Sequence, residues 1–357
     1  MNNIKDKTLQ GTQTGSKTTE RIFRGSKKRR ARWKLVSFFL ALAVVVLCLL
    51  TLTVGNTFYS LPEVFRVLTA GGGTDAMRFT ILTLRLPRMI CGLLAGLSFG
   101  VAGYLFQTIL RNPLASPDII GISSATSTAA VFCLLILNLP NSVVPAIAVL
   151  TGLLVTLLIY LLSVTNGAFS QSRMILIGIG VQAIANAFTN YLLSRAAEYD
   201  TAATLQWLSG SLSGSTMEKV PVFAVCSGVL FVVVALLRHQ LPVILLGDAF
   251  ATGLGVNLRK MYPALLASGV ILTATATAIT GPIASVAFLA GPIASGIAGR
   301  GQNNLLPSGL MGAVLVLGAD LVGQNLLPAR YPVGVITGLL GAPYLILILL
   351  RLGAKGR

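Results

Sequence analysis

Apolar runs of roughly twenty residues recur from one end of this chain to the other. About twenty apolar residues cross the hydrocarbon core of a bilayer as one α-helix. On that rule the sequence holds ten spans, at approximately 35–54, 86–109, 119–137, 142–163, 173–194, 219–238, 262–281, 283–299, 306–326 and 333–350. The expected fold class is all-α and integral to the membrane, because a helix satisfies its own backbone N–H and C=O groups where no water reaches. Charge points the same way. Only 10% of the 357 residues are charged, whereas a soluble domain carries about 25%. The 37 glycines suit helices that pack through small residues, since lipid gives no hydrophobic push between them.

The net charge is +17, a value that raises nucleic acid as a partner. Its distribution points instead to the lipid bilayer, with no nucleic acid. Ten Lys/Arg lie in the first 33 residues, and most others punctuate the ends of apolar runs. Residues 1–33 read as a disordered, basic cytoplasmic tail, and 34–357 as the transmembrane domain. The run after the tail is too long for the apolar region of a signal peptide, so it reads as the first span. With ten spans and both termini cytoplasmic, 20 Lys/Arg fall inside and 7 outside, the sign the positive-inside bias requires.

Catalytic and metal-ligand patterns are missing. No GxxxxGK[ST] loop is present to cradle phosphates, and no catalytic cluster is evident. Cys48, Cys91, Cys133 and Cys226 lie singly in apolar runs and read as packing residues. His239 reads as an interfacial residue rather than a ligand. Asp320 is the one acidic residue within a span. It serves either as a hydrogen-bonded structural group or as the carboxylate of an ion-coupled secondary transporter. Gly92, Gly96 and Gly100, with Gly103 close by, form a row that lets another helix approach closely.

Three further groups invite a functional reading. Gln182, Asn186, Thr189 and Asn190 share one helical face. They serve either interhelical hydrogen bonding or the wall of a pathway. Arg85 and Arg88 lie at the outer end of the second span, against the charge bias. They either snorkel to headgroups or form a basic site for an acidic partner. Gly247, Asp248, Ala251, Leu254 and Gly255 outline a short helix after the sixth span, with Asp248 as its cap and Gly255 at its end. Finally, Gly281-Pro-Ile-Ala-Ser285 recurs as Gly291-Pro-Ile-Ala-Ser295, two steps expected to break helices.

Several of these segments together resemble one family. Arg85-Leu-Pro-Arg88, Gly103…Gln107, Arg111-Asn-Pro-Leu-Ala-Ser-Pro117 and Gly121 are similar to the permeases of ABC importers for iron-siderophores, haem and vitamin B12. So are Trp207-Leu-Ser-Gly-Ser-Leu212, Leu246-Gly-Asp248…Gly255, Gly281-Pro-Ile283 and Pro332-Val-Gly-Val-Ile-Thr337…Gly341-Ala-Pro343. The resemblance covers about residues 60–351. It implies a ten-span subunit of a bacterial plasma membrane, paired with a second permease around a central pathway. Two cytoplasmic ATPases, which bind the ATP and Mg, would drive it, and an extracellular binding protein would deliver a ferric siderophore. This chain itself would need no cofactor. Arg85 and Arg88 would then meet the binding protein's carboxylates, 246–255 would seat on the ATPase, and the Gln182 face would line the pathway.

Three positions depart from the family pattern. Gly291-Pro292 stands where Pro-His is common, and Ser295 and Gln324 stand in place of arginines. These departures resemble the partner subunit of a heterodimer, and lean away from a self-pairing vitamin B12 permease.

Overall fold

The computed structural model describes residues 2–137, 139, 143–165, 168–196, 204–299 and 302–355. Helix α1 runs Asn2–Thr53, and α2 runs Leu61–Ala70. A short α3, Asp75–Arg78, passes through a π-helical stretch, Phe79–Arg85, into α4, Leu86–Ile109. Then come α5 (Ile122–Leu135), α6 (Val144–Ser163) and α7 (Gln171–Arg195). A two-stranded antiparallel hairpin, β1 Val164–Thr165 with β2 Ala168–Phe169, joins α6 to α7. The second half holds α8 (Lys219–Leu237), α9 (Leu241–Ile244), α10 (Asp248–Gly253) and α11 (Leu258–Thr280). It ends with α12 (Val286–Ala298), α13 (Leu305–Asn325) and α14 (Val333–Lys355).

Each expected span contains a helix. Among the described residues, seven are long and apolar enough to cross a membrane, and Ile122–Leu135, Val286–Ala298 and Val333–Leu347 are shorter apolar helices. The chain is thus a multi-pass membrane protein. Two boundaries differ from the sequence reading. Residues 2–33 of the expected disordered tail fall within α1, which runs from Asn2 into the first span. Arg32 Nε donates to the Ile297 carbonyl at 2.7 Å, and Trp33 Nε1 to the Asn303 carbonyl at 3.0 Å. A helix already nucleated by the span extends at little cost through Lys and Arg, which are good helix formers. The second span starts near Asp75 rather than 86. Its π-helical turns lie just ahead of Pro87, which has no N–H to continue the regular ladder.

Helix α4 is the buried axis of the bundle, and the glycine row explains its position. A Cβ built on Gly96 would lie 2.5 Å from the Ala313 Cα, and one on Gly100 would strike the Ser308 carbonyl. On the facing helix, a Cβ at Gly312 would strike the Gly96 carbonyl. The backbones of α4 and α13 therefore touch, and only hydrogen fits between them. One turn on, Gly103 meets the Ala287 carbonyl of α12 in the same way. By contrast α6, α7 and α8 keep long apolar side chains such as Leu154, Leu176 and Val229 exposed, as lipid-facing helices must.

The two Gly-Pro copies diverge. The first ends α11, with Gly281 at φ 72° and Ser285 at φ 67°. The second does not break its helix: Pro292 lies inside α12. A proline there frees the carbonyl of residue 288. Gln107 Nε2 of α4 points at it, 3.3 Å from the Phe288 oxygen, and Gly291 leaves the room, since a Cβ there would collide with Gln107 Oε1. The Gly291-Pro292 departure is thus matched by Gln107 within the chain.

Gly96→Leu is expected to cost at least about 1–3 kcal/mol through overpacking, read as a lower melting temperature in detergent. Gly228→Ala on α8, where a Cβ meets nothing within 4 Å, is expected to leave it unchanged.

Candidate functional site

A cavity of about 810 Å³ lies beside α7. Gln182, Asn186, Thr189 and Asn190 all line it. Their i, i+4, i+7, i+8 spacing carries them to one side of α7, and α7 is held there by close backbone approach. A Cβ on Gly178 would lie 2.8 Å from the Ile120 carbonyl, and one on Gly121 would lie 2.8 Å from the Gln182 nitrogen. Thr189 also serves interhelical bonding, its Oγ1 lying 2.8 Å from Thr128 Oγ1 of α5. Gln182 is half-buried, while Asn186 and Asn190 are exposed.

Across from α7 stand Ser116, Asp118, Ser123 and Ser127. The Ser123 hydroxyl donates to Asp118 Oδ1 at 2.5 Å. Among the described residues that line the cavity, Asp118 alone is ionisable. Sequence reasoning misses it, although a carboxylate directly ahead of an apolar run is a signal that could have found it. The remaining wall comes from three segments far apart in sequence. Gly210, at φ 71°, packs against the Pro282 carbonyl, and the Gly334 N–H donates to the Gly210 carbonyl at 3.0 Å. Thr337 Oγ1 donates to the Ala284 carbonyl at 2.7 Å. The Trp207–Leu212, Gly281–Ile283 and Pro332–Gly341 segments therefore form one junction, with Pro282, Ile283, Gly338 and Gly341 facing the cavity.

At the Ile109 end of α4, Arg111 and Asp248 form an ion pair. Asp248 does not cap α10 as expected. Gly247, at φ 111°, is the residue before the helix, and the carboxylate is taken by Arg111 and by the Tyr262 hydroxyl at 2.5 Å. The pair ties the Arg111-Asn-Pro loop, α10 and α11 together, which no spacing in the sequence reveals. Gly255, at φ 85°, follows the last helical turn as expected, and the Val256 N–H reaches back to the Ala251 carbonyl at 2.9 Å. Ala251 is buried, whereas Leu246, Phe250 and Leu254 are 60%, 69% and 65% exposed.

The opposite end of α4 holds a smaller cleft of about 300 Å³, lined by Arg85, Arg88, Asp320, Gln324 and Arg330 among others. Arg85 and Arg88, read as charges open to an acidic partner, are both engaged within the chain. Arg85 is 9% exposed. It donates to the Leu52 carbonyl at 2.8 Å and the Thr57 carbonyl at 2.6 Å, and stacks on Tyr59. Arg88 grips Asp320 with two parallel bonds of 2.8 and 2.7 Å. A charge half withdrawn from water must find such partners. Arg330 is the exposed cation of the cleft, held by Asn56 Oδ1 at 2.7 Å.

The Arg88–Asp320 geometry favours the structural reading of Asp320 over ion coupling. Asp320→Asn is expected to cost about 3–5 kcal/mol by stranding the guanidinium, read as lost thermal stability in nanodiscs. Arg88→Met with Asp320→Leu is expected to recover most of that loss.

Comparison with known proteins gives a consistent picture. Residues 42–351 match the model of the FecCD transport family. The chain is 35% identical over 326 residues to the ferric enterobactin transport system permease protein FepG of Escherichia coli, covering 91% of this chain and 98% of FepG. It is 33% identical to the Fe(3+)-citrate import system permease protein YfmE of Bacillus subtilis, covering 90% and 96%. A solved structure, described as an inward-facing conformation of a metal-chelate type ABC transporter, superposes with a TM-score of 0.76 at 26% identity, covering 89% of this chain and 99% of that one. The buried glycine axis, the polar cavity and the paired charges at both ends of α4 are thus features of a chain that belongs to the FecCD transport family.

Proposed function

We propose that this chain is the membrane permease subunit of an ATP-driven ABC importer for ferric siderophores, with ten spans, both termini cytoplasmic, in a bacterial plasma membrane. The carrying observation is the polar side of α7. Asn186 and Asn190 are exposed on a membrane helix, and such groups face protein or water rather than lipid. A second permease packed over the cavity would shield them and complete a pathway lined by Gln182, Asn186, Thr189 and Asn190. The relatives named for ferric enterobactin and Fe(3+)-citrate favour iron chelates over vitamin B12 or haem. Gly291, Ser295 and Gln324 favour a non-identical second permease.

Energy would come from two cytoplasmic ATPases carrying ATP and Mg. They would seat on α10, where Phe250 and Leu254 offer apolar surface outside the bundle and Gly247, Asp248, Ala251 and Gly255 fix its pose. The Arg111–Asp248 pair would carry motion from that contact into α4 and α11, alternating access to the pathway. An extracellular binding protein would dock over the opposite cleft, with Arg330 as the exposed cation, Arg88 engaged by Asp320 beside it and Arg85 buried beneath.

Deleting the chain is expected to abolish uptake of at least one labelled ferric siderophore in a panel. ATP depletion should stop that uptake, and collapse of the proton gradient alone should not; the reverse pattern would return Asp320 to the role of coupling group. Gln182→Leu with Asn186→Leu should lower uptake about tenfold or more, the scale of one or two lost polar contacts. Phe250→Asp with Leu254→Asp should leave the permease folded but strip the ATPase from it on co-purification.

A further inference from the structure

A second large groove, about 950 Å³, lies away from the pathway cavity. Its walls come from α1, α4, α8 and α13. Four basic side chains line its mouth: Arg30, Lys34, Arg238 and His239. Its depth is apolar, with Leu97, Val101, Phe231 and Leu310 among the lining residues. None of the described residues that line it is acidic. Among the described residues, neither Arg30 nor Lys34 is drawn into an ion pair.

The level of the charges matters. Lys34 precedes the apolar part of α1, and Arg238 follows the last residue of α8. The groove therefore runs from the water boundary into the apolar slab. Its mouth is also a fixed frame. Trp33 Nε1 donates to the Asn303 carbonyl at 3.0 Å, and Asn303 Nδ2 donates to the Arg238 carbonyl at 2.5 Å. These bonds lock the ends of α1, α8 and α13 together around the cations.

We propose that this groove is a binding site for one anionic phospholipid, its phosphate held by Arg30, Lys34 and Arg238 and an acyl chain lying along Leu97 and Val101. Basic pockets between membrane helices, at headgroup level, suit phosphate-bearing lipids. The volume is in the range of small-molecule sites, roughly 300–1,000 Å³. A free anion would use the mouth alone and leave the apolar depth unexplained. A zwitterionic lipid would bring its own cation against three others. The inference requires only that the chain sits in a bilayer, so its failure would not count against the transport reading.

The test uses the full-length chain, purified with whatever subunits accompany it. It is placed in nanodiscs of equal parts phosphatidylglycerol and phosphatidylcholine, and retained lipids are counted by native mass spectrometry. The wild type is expected to retain phosphatidylglycerol at least about tenfold over phosphatidylcholine. Arg30→Gln/Lys34→Gln/Arg238→Gln should bring the two lipids to parity. Ala235→Trp, which keeps every charge but fills the slot from α8, should do the same. Lys27→Gln/Lys28→Gln/Arg29→Gln removes as much charge from the tail and should keep the preference. Equal retention by the wild type, or a preference that survives either groove variant, would overturn the proposal. So would a preference lost with the tail variant, or one titrated away by millimolar inorganic phosphate, which would mark a free-anion site.

Discussion

Backbone contact between α4 and α13 is the constraint on which the rest of this structure depends. In a membrane, side-chain burial gives little drive for helices to associate, so association rests on close packing. The Gly96–Ala313 and Gly100–Ser308 approaches bring two helices to touching distance and place α4 at the axis. Once α4 is central, α12 can close on Gly103 and α11 on Phe106, where a Cβ at Gly269 would lie 2.9 Å from the ring. Helices α6, α7 and α8 are left at the periphery with their leucines and valines toward lipid.

That axis also explains where the buried charges sit. Ionised groups are costly in the apolar slab, and they are tolerated when paired or near its edge. Arg88 and Asp320 meet at one end of α4, on the helix pair brought closest by the glycines. Arg111 and Asp248 meet at the other. Each pair joins elements more than 130 residues apart in sequence. One closes the cleft where a delivery protein would sit, and the other reaches the helix where an ATPase would push. Packed interfaces of this kind shift between discrete arrangements rather than deform smoothly.

The polar cavity is the counterpart of this order. It lies off the axis, between α7 and the junction built by Gly210, Pro282 and Gly334, where irregular backbone replaces regular helix. Irregular backbone at membrane depth is tolerated where protein or water satisfies it. Here the Gly334 N–H is taken by Gly210 and the Ala284 carbonyl by Thr337. The same economy governs α12, where Gln107 faces the carbonyl that Pro292 leaves free. Such repairs make local breaks compatible with a membrane bundle, and they concentrate around the cavity.

The sequence by itself determined the class of this protein. Apolar runs of membrane length, a basic tail and a near absence of intramembrane acids require a helical membrane bundle, because a bilayer admits few alternatives. The glycine spacing and the Gln182–Asn190 face were also legible, since helical periodicity maps neighbours three and four residues apart onto one side. Tertiary structure alone decided what lies across from each such side. Periodicity carries no information on which distant segment supplies the partner, so the Arg88–Asp320 and Arg111–Asp248 pairs, the place of Asp118 and the groove at Arg30 and Arg238 could not be read from it. It also decided the fate of identical local sequences. Gly-Pro-Ile-Ala-Ser ends a helix at 281, where Gly281 turns to φ 72° against the Trp207–Gly210 backbone, and continues one at 291, where Gln107 faces the carbonyl its proline leaves free.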